Sequence, residues 1–118
     1  MDFSAGQVAA VAACGVLVFL GYRQFKFRKV RMRIPDLLTQ GAVVVDVRSR
    51  PEFATGSSQR SINIPLDELP HQLRKLDRGK PIVLCCASGT RSAMAERMLR
   101  QEGFEQVYNA GSWTSLAR

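Results

Sequence analysis

The sequence predicts an α/β domain, an open and largely parallel sheet flanked by helices, preceded by one transmembrane helix. Three observations predict it. Residues 3–22 carry no charged side chain, β-branched runs alternate with helical stretches from residue 34 onward, and a small-residue loop follows the apolar run that ends at Cys86. A chain of 118 residues with 23% charged side chains has the length and composition of one folded domain. It divides into an anchor at 1–22, a basic juxtamembrane segment at 23–33 and a globular domain at 34–118.

Within the first segment, residues 8–20 are almost wholly apolar, with Gly15 as the gap. Twenty residues rise about 30 Å as a helix, enough to span the hydrocarbon core. No polar face recurs at helical spacing, so a soluble helix of this composition would have to be enclosed by a domain too small to enclose it. The positive charges follow the apolar stretch and only Asp2 precedes it, the reverse of a cleaved signal peptide, so a retained anchor is expected. Val11-Ala12-Ala13-Cys14 has the form of a lipoprotein cleavage box. The apolar run continues straight through it with no basic region before it, and Cys14 is therefore read as a small residue of the helix.

Residues 23–33 hold Arg23, Lys26, Arg28, Lys29, Arg31 and Arg33 without an acid, and supply most of the net +7. Basic flanks stay on the cytoplasmic side, which predicts a single-pass membrane protein with a cytoplasmic globular domain. Phe25 and Phe27 interleave these charges; directly after an apolar stretch, contact with lipid headgroups is expected of residues 3–33 rather than stacking on bases. The rest of the chain is nearly neutral, which argues against nucleic acid as a partner.

Beyond residue 33 the elements are short. Residues 35–41 read as a brief helix with Pro35 in its first turn and Gly41 at its stop. Residues 43–47 form a β-branched run suited to a buried central strand, and residues 51–55 a short helix closed by Gly56. Residues 62–64 form a strand ended by Pro65. Leu66, Leu69, Leu73 and Leu76 recur at helical spacing, the stripe of a helix lying on a sheet. A strand at 81–86, a helix at 92–102 stopped by Gly103 and a strand at 106–109 complete the pattern. Ligands of such sheets bind beyond the C-terminal ends of the strands, which points to the turn after Cys86.

That turn reads Cys86-Ala87-Ser88-Gly89-Thr90-Arg91-Ser92. Small residues let the backbone curl so that its N–H groups converge as an anion nest around the sulfur. The helix N-terminus and Arg91 add positive potential, and all three favour the thiolate, the form that attacks. Arg91 has a second possible role, pairing with a carboxylate such as Glu52 to fix the loop. Strand alternation sends Cys85 to the opposite face, where it is a packed core cysteine. Three cysteines and the single His71 show no metal-ligand or disulfide spacing, so neither a metal nor a cofactor is expected.

At these residues the chain resembles the rhodanese family, in particular its small single-domain members. Val44 to Arg48 is similar to the family's "DVR" strand, Pro51-Glu52-Phe53 to its "PEE(F/Y)" helix start, and Ser61 to Leu66 to its "AINIPL" segment. The run from Cys86 to Ser92 is similar to the "CxSGxRS" loop, and Tyr108-Asn109-Ala110-Gly111 to the family's closing segment. The resemblance implies a sulfurtransferase. Cys86 takes a sulfane sulfur from a small donor such as thiosulfate or a persulfide, and passes it to a thiol or cyanide. Ala87, Ser88, Gly89, Thr90 and Arg91 form the loop that holds the persulfide, while Asp46, Arg48 and Glu52 support loop and sheet. Two departures stand out. Gly56-Ser57-Ser58-Gln59 replaces the usual Gly-His-Ile, and Ala87 stands where active members commonly carry arginine or another polar residue, removing one contact for an anionic donor.

Two other readings compete. A cysteine phosphatase or arsenate reductase would use a similar cradle, but four residues separate Cys86 from Arg91, and the phosphatases that resemble this fold place one more there to admit a tetrahedral anion. A persulfide carrier or docking module without turnover would share every residue named, and kinetics separate it from the enzyme.

Overall fold

The computed structural model describes residues 4–116. Residues 1–3 and 117–118, the outermost parts of the expected anchor and domain, lie outside the described residues.

A single helix, α1 (Ala5–Thr39), runs through the apolar stretch, the basic segment and Pro35 without a break. It begins with a capping box in which Ser4 and Gln7 satisfy each other's backbone N–H groups. The expected separate helix at 35–41 is thus corrected: residues 35–39 are the last turn of α1. Proline removes one donor from the ladder and crowds the carbonyl four residues back. Here the helix is held across that defect by packing, because Val30, Ile34, Leu37 and Leu38 lie on the sheet with Val44, Val83, Cys85 and Ala110. The N-terminal half of α1 has the opposite character. Val11, Leu17 and Val18 are about two-thirds exposed, and a window of mean hydropathy 1.8 has none of its residues buried. By length and composition α1 is able to cross a membrane.

Four strands form one parallel sheet in the order β2-β1-β3-β4: β1 (Val43–Asp46), β2 (Ser61–Asn63), β3 (Ile82–Cys86) and β4 (Val107–Ser112). Helix α2 (Arg50–Thr55) follows β1, and α3 (Thr90–Gln101) joins β3 to β4. From β1 the chain moves to one edge and from β3 to the other. Their C-terminal ends therefore flank the switch point at which parallel sheets open a crevice. All five residues of β3 are buried, as a central strand covered on both faces requires. One face packs on α3 through Ala95 and Leu99, the other on the end of α1.

The leucine stripe is buried as expected, with Leu69 and Leu76 inside and Leu66 and Leu73 against the core, but it is no α-helix. Two single 3-10 turns, Leu69–His71 and Leu73–Lys75, carry it instead. Pro70 is the physical reason: it has no N–H to donate to the Leu66 carbonyl, and its ring crowds that carbonyl in an α-helix. Helix α3 also starts at Thr90, two positions before the expected Ser92, which draws Thr90 and Arg91 into its first turn. Strand β4 runs on to Ser112 with a register shift opposite Leu84 and Cys86, where Gly111 takes φ +81°.

Candidate active site

Cys86 is the last residue of β3 and is 1% exposed, its side chain in the cluster beneath α3. Cys85 lies in the opposite cluster, as alternation requires. The loop turns back over the sulfur. The Gly89 N–H donates to Cys86 Sγ at 2.9 Å, and Ser92 Oγ lies 3.4 Å from it. Gly89 reaches that position at φ +100°, a left-handed conformation that a side chain would strain. Ala87, Ser88 and Thr90 form an exposed rim around the buried Gly89.

Asn109 of β4 holds this arrangement from the side. Its Oδ1 accepts from Ser92 Oγ at 2.7 Å and from the Gly111 N–H at 3.0 Å, and its Nδ2 donates to the Gly89 carbonyl at 3.1 Å. With the thiol protonated, S–H can donate to Ser92, which donates to Asn109. With the thiolate, the single Ser92 proton can turn to sulfur while Gly111 still serves Asn109. The sequence assigns neither Ser92 nor Asn109 a role beyond its place in the family resemblance. An asparagine within a strand, where this residue type is depleted, was the available signal.

The two adjacent thiols are driven apart in acidity. Burial is the largest effect on Cys86 and opposes ionisation. Hydrogen bonds from the Ser92 hydroxyl and from the backbone of Ser92, Ser88 and Gly89 outweigh it and bring the thiol below the ordinary 9.0. Cys85 has burial, and then the Asp46 charge, against it and is pushed up to about 12.

Arg91 takes the second of its two expected roles. Its guanidinium donates to Glu52 in a two-pronged pair at 2.6 and 2.9 Å, tying α3 to α2. Glu52 also accepts from Ser49, closing the capping box of α2. The Arg91 hydrogen bond foremost, then Ser49, lower its carboxyl from 4.5 to about 2. A depressed carboxyl stabilises the fold fully above its unfolded value, and that contribution disappears as pH falls through the folded one. The acid limb of the stability profile between about 4.5 and 2 is therefore expected to flatten in Glu52→Gln, measured by denaturant unfolding at stepped pH.

Asp46 and Arg48 do not hydrogen-bond to the sulfur. They form a buried pair, 2.7 Å at its shortest, from which Arg48 also donates to the carbonyls of Gly56 and Glu52 and lies over the Trp113 ring. Asn63 donates to the carbonyls of both residues. This is a frame beneath α2.

A further wall was missed. Phe27, expected at lipid headgroups, is 6% exposed and packs against the loop: a Cβ at Gly89 would lie 2.5 Å from its ring, and one at Gly111 2.7 Å. Arg23, one turn earlier on α1, donates to the Ser88 carbonyl at 3.2 Å and to Thr90 Oγ1 at 2.9 Å. Phe25 remains exposed, with Lys29 over its ring.

Residues 33–117 match the family model of the rhodanese-like domain. The chain is 33% identical over 82 residues to the thiosulfate sulfurtransferase GlpE of Pseudomonas fluorescens, covering 70% of this chain and 75% of that protein. It is 30% identical over 71 residues to a sulfurtransferase of Allochromatium vinosum, covering 60% of this chain and 66% of the relative. Among solved structures, a rhodanese-related protein from Thermoplasma volcanium superposes with a TM-score of 0.63 at 33% identity, over 73% of this chain and 85% of that one.

Proposed function

The chain belongs to the rhodanese-like domain family, whose sulfurtransferase relatives support sulfur transfer of the rhodanese type, and on that premise we propose that it moves sulfane sulfur through a persulfide on Cys86. The Cys86 thiolate attacks the sulfane sulfur of a donor. In thiosulfate the S–S bond breaks and sulfite leaves with the electron pair. An acceptor thiolate or cyanide then takes the terminal sulfur, and the Cys86 thiolate is regenerated. The single observation that carries the reading is the Gly89 N–H on Cys86 Sγ at 2.9 Å. An amide in that place stabilises the thiolate, the form that attacks the donor.

Arg91 is engaged by Glu52, and position 87 is alanine. The loop therefore offers an incoming oxyanion its backbone amides and no free guanidinium of its own, which favours a persulfide as donor over thiosulfate. The same engagement weighs against phosphate chemistry, which needs the loop arginine turned inward. A carrier without turnover is the second reading, favoured by the same Ala87. We further propose that the apolar part of α1 spans a membrane, with residues 3–22 and the exposed Phe25 in contact with lipid and the domain in the cytoplasm, supported by the basic residues that follow the apolar stretch.

Intact mass after exposure to a small persulfide or thiosulfate tests the reading. Solubilised chain should gain about 32 Da. No gain with any sulfane donor would sink sulfur transfer. Repeated in sealed vesicles of each polarity with membrane-impermeant thiosulfate, the gain should appear where the cytoplasmic face is outward.

A further inference from the structure

Ser88 C=O and Gly89 N–H belong to one peptide unit, and in a trans peptide they point in opposite directions. The N–H end donates to Cys86 Sγ and the C=O end accepts from Arg23. The plane is thus gripped at both ends, and its outer partner comes from α1, outside the rest of the loop's own framework. Phe27 presses on Gly89 from the same helix, and Arg23 Cζ lies 5.3 Å from the centre of that ring.

We propose that Arg23 is a positioning residue for Cys86, acting through the Ser88–Gly89 peptide: it fixes the plane and, by hydrogen-bonding the carbonyl, strengthens the N–H that holds the sulfur anion. The basic segment that follows the apolar stretch thereby becomes part of the site, and α1 couples the sulfur's environment to the helix's own position. The inference deepens the Cys86 reading and rests on it only for its purpose, since the contact acts on the thiolate whether or not a persulfide forms.

Of the charged groups nearest the loop, Arg91 of α3 is engaged by Glu52 of α2 and Asp46 of β1 by Arg48, while Lys26 of α1 lies over Tyr22 and Arg100 of α3 pairs with Glu96. Arg28 of α1 is exposed and has the same charge as Arg23, which makes it the control for charge alone. The experiment is a pH titration of Cys86 thiolate by ultraviolet absorbance, on the full chain in a Cys14→Ser background, with the Cys86→Ser signal subtracted. Arg23→Ala is expected to raise the midpoint by about half a unit, leaving roughly threefold less thiolate at a fixed pH below it. Arg23→Lys, which keeps a donor for the carbonyl, should recover most of that shift, and Arg28→Ala should show none. An unmoved midpoint in Arg23→Ala, an equal shift in Arg28→Ala, or a lysine variant that behaves as alanine overturns the proposal. A chain that forms no persulfide still reports on Arg23 by this measurement, so the two readings fail separately.

Discussion

Cys86→Ser is expected to abolish the 32 Da adduct and lower sulfur transfer by at least about a thousandfold, to the level of uncatalysed exchange. A serine hydroxyl is not ionised by the hydrogen bonds that suffice for a thiol, and its oxygen forms no persulfide. Cys85→Ser is the informative partner. That site is 0% exposed and faces Leu37, Val44 and Val83, so a serine there costs about 1–3 kcal/mol as a poorly satisfied hydroxyl. The adduct should nevertheless form, because the thiol removed is the one pushed up to about 12 and turned away from the loop. Intact-mass analysis of the two variants beside wild type reads both outcomes. An adduct that survives Cys86→Ser would move the chemistry to another residue.

The parts of the fold legible in the sequence were those whose signal is local. The β-branched runs of β1 and β3, the Pro51 helix with its Gly56 stop, and the split of Cys85 from Cys86 follow from period and turn chemistry, and all are found in place. A separate helix is expected from Pro35 because proline suits a helix's first turn, and the burial of Leu37 that instead makes these residues the end of α1 is a tertiary fact. Pro70, by contrast, is a local signal within the leucine stripe, and its missing N–H outweighs the helical spacing.

At the site, the sequence leaves Arg91 two roles, and the Glu52 pair selects one. Arg23 and Phe27 were invisible for a different reason. Their partners are more than sixty positions away, and a basic aromatic stretch after an apolar helix has an ordinary explanation of its own.

The second large effect concerns Asp46. Its carboxylate is fully buried against Arg48, which is 3% exposed, and each supplies the other's main charge partner. Truncation to alanine leaves a guanidinium buried without its counter-charge, and the expected loss is about 3–5 kcal/mol, a large share of a small domain's stability. Denaturant unfolding measures it. Replacing both residues with apolar ones of similar size should recover much of the loss, because the cost lies in the orphaned charge more than in the missing attraction. The chemistry should suffer less than the fold. Arg48 reaches Gly56 and Glu52, and through Glu52 the base of Arg91, so Asp46→Ala slackens the α2 side of the loop. The other side is held by Asn109 and α1, independent of that frame. Adduct yield per folded molecule should therefore stay within a few-fold of wild type, while an adduct lost in step with Cys86→Ser would place Asp46 in the reaction itself.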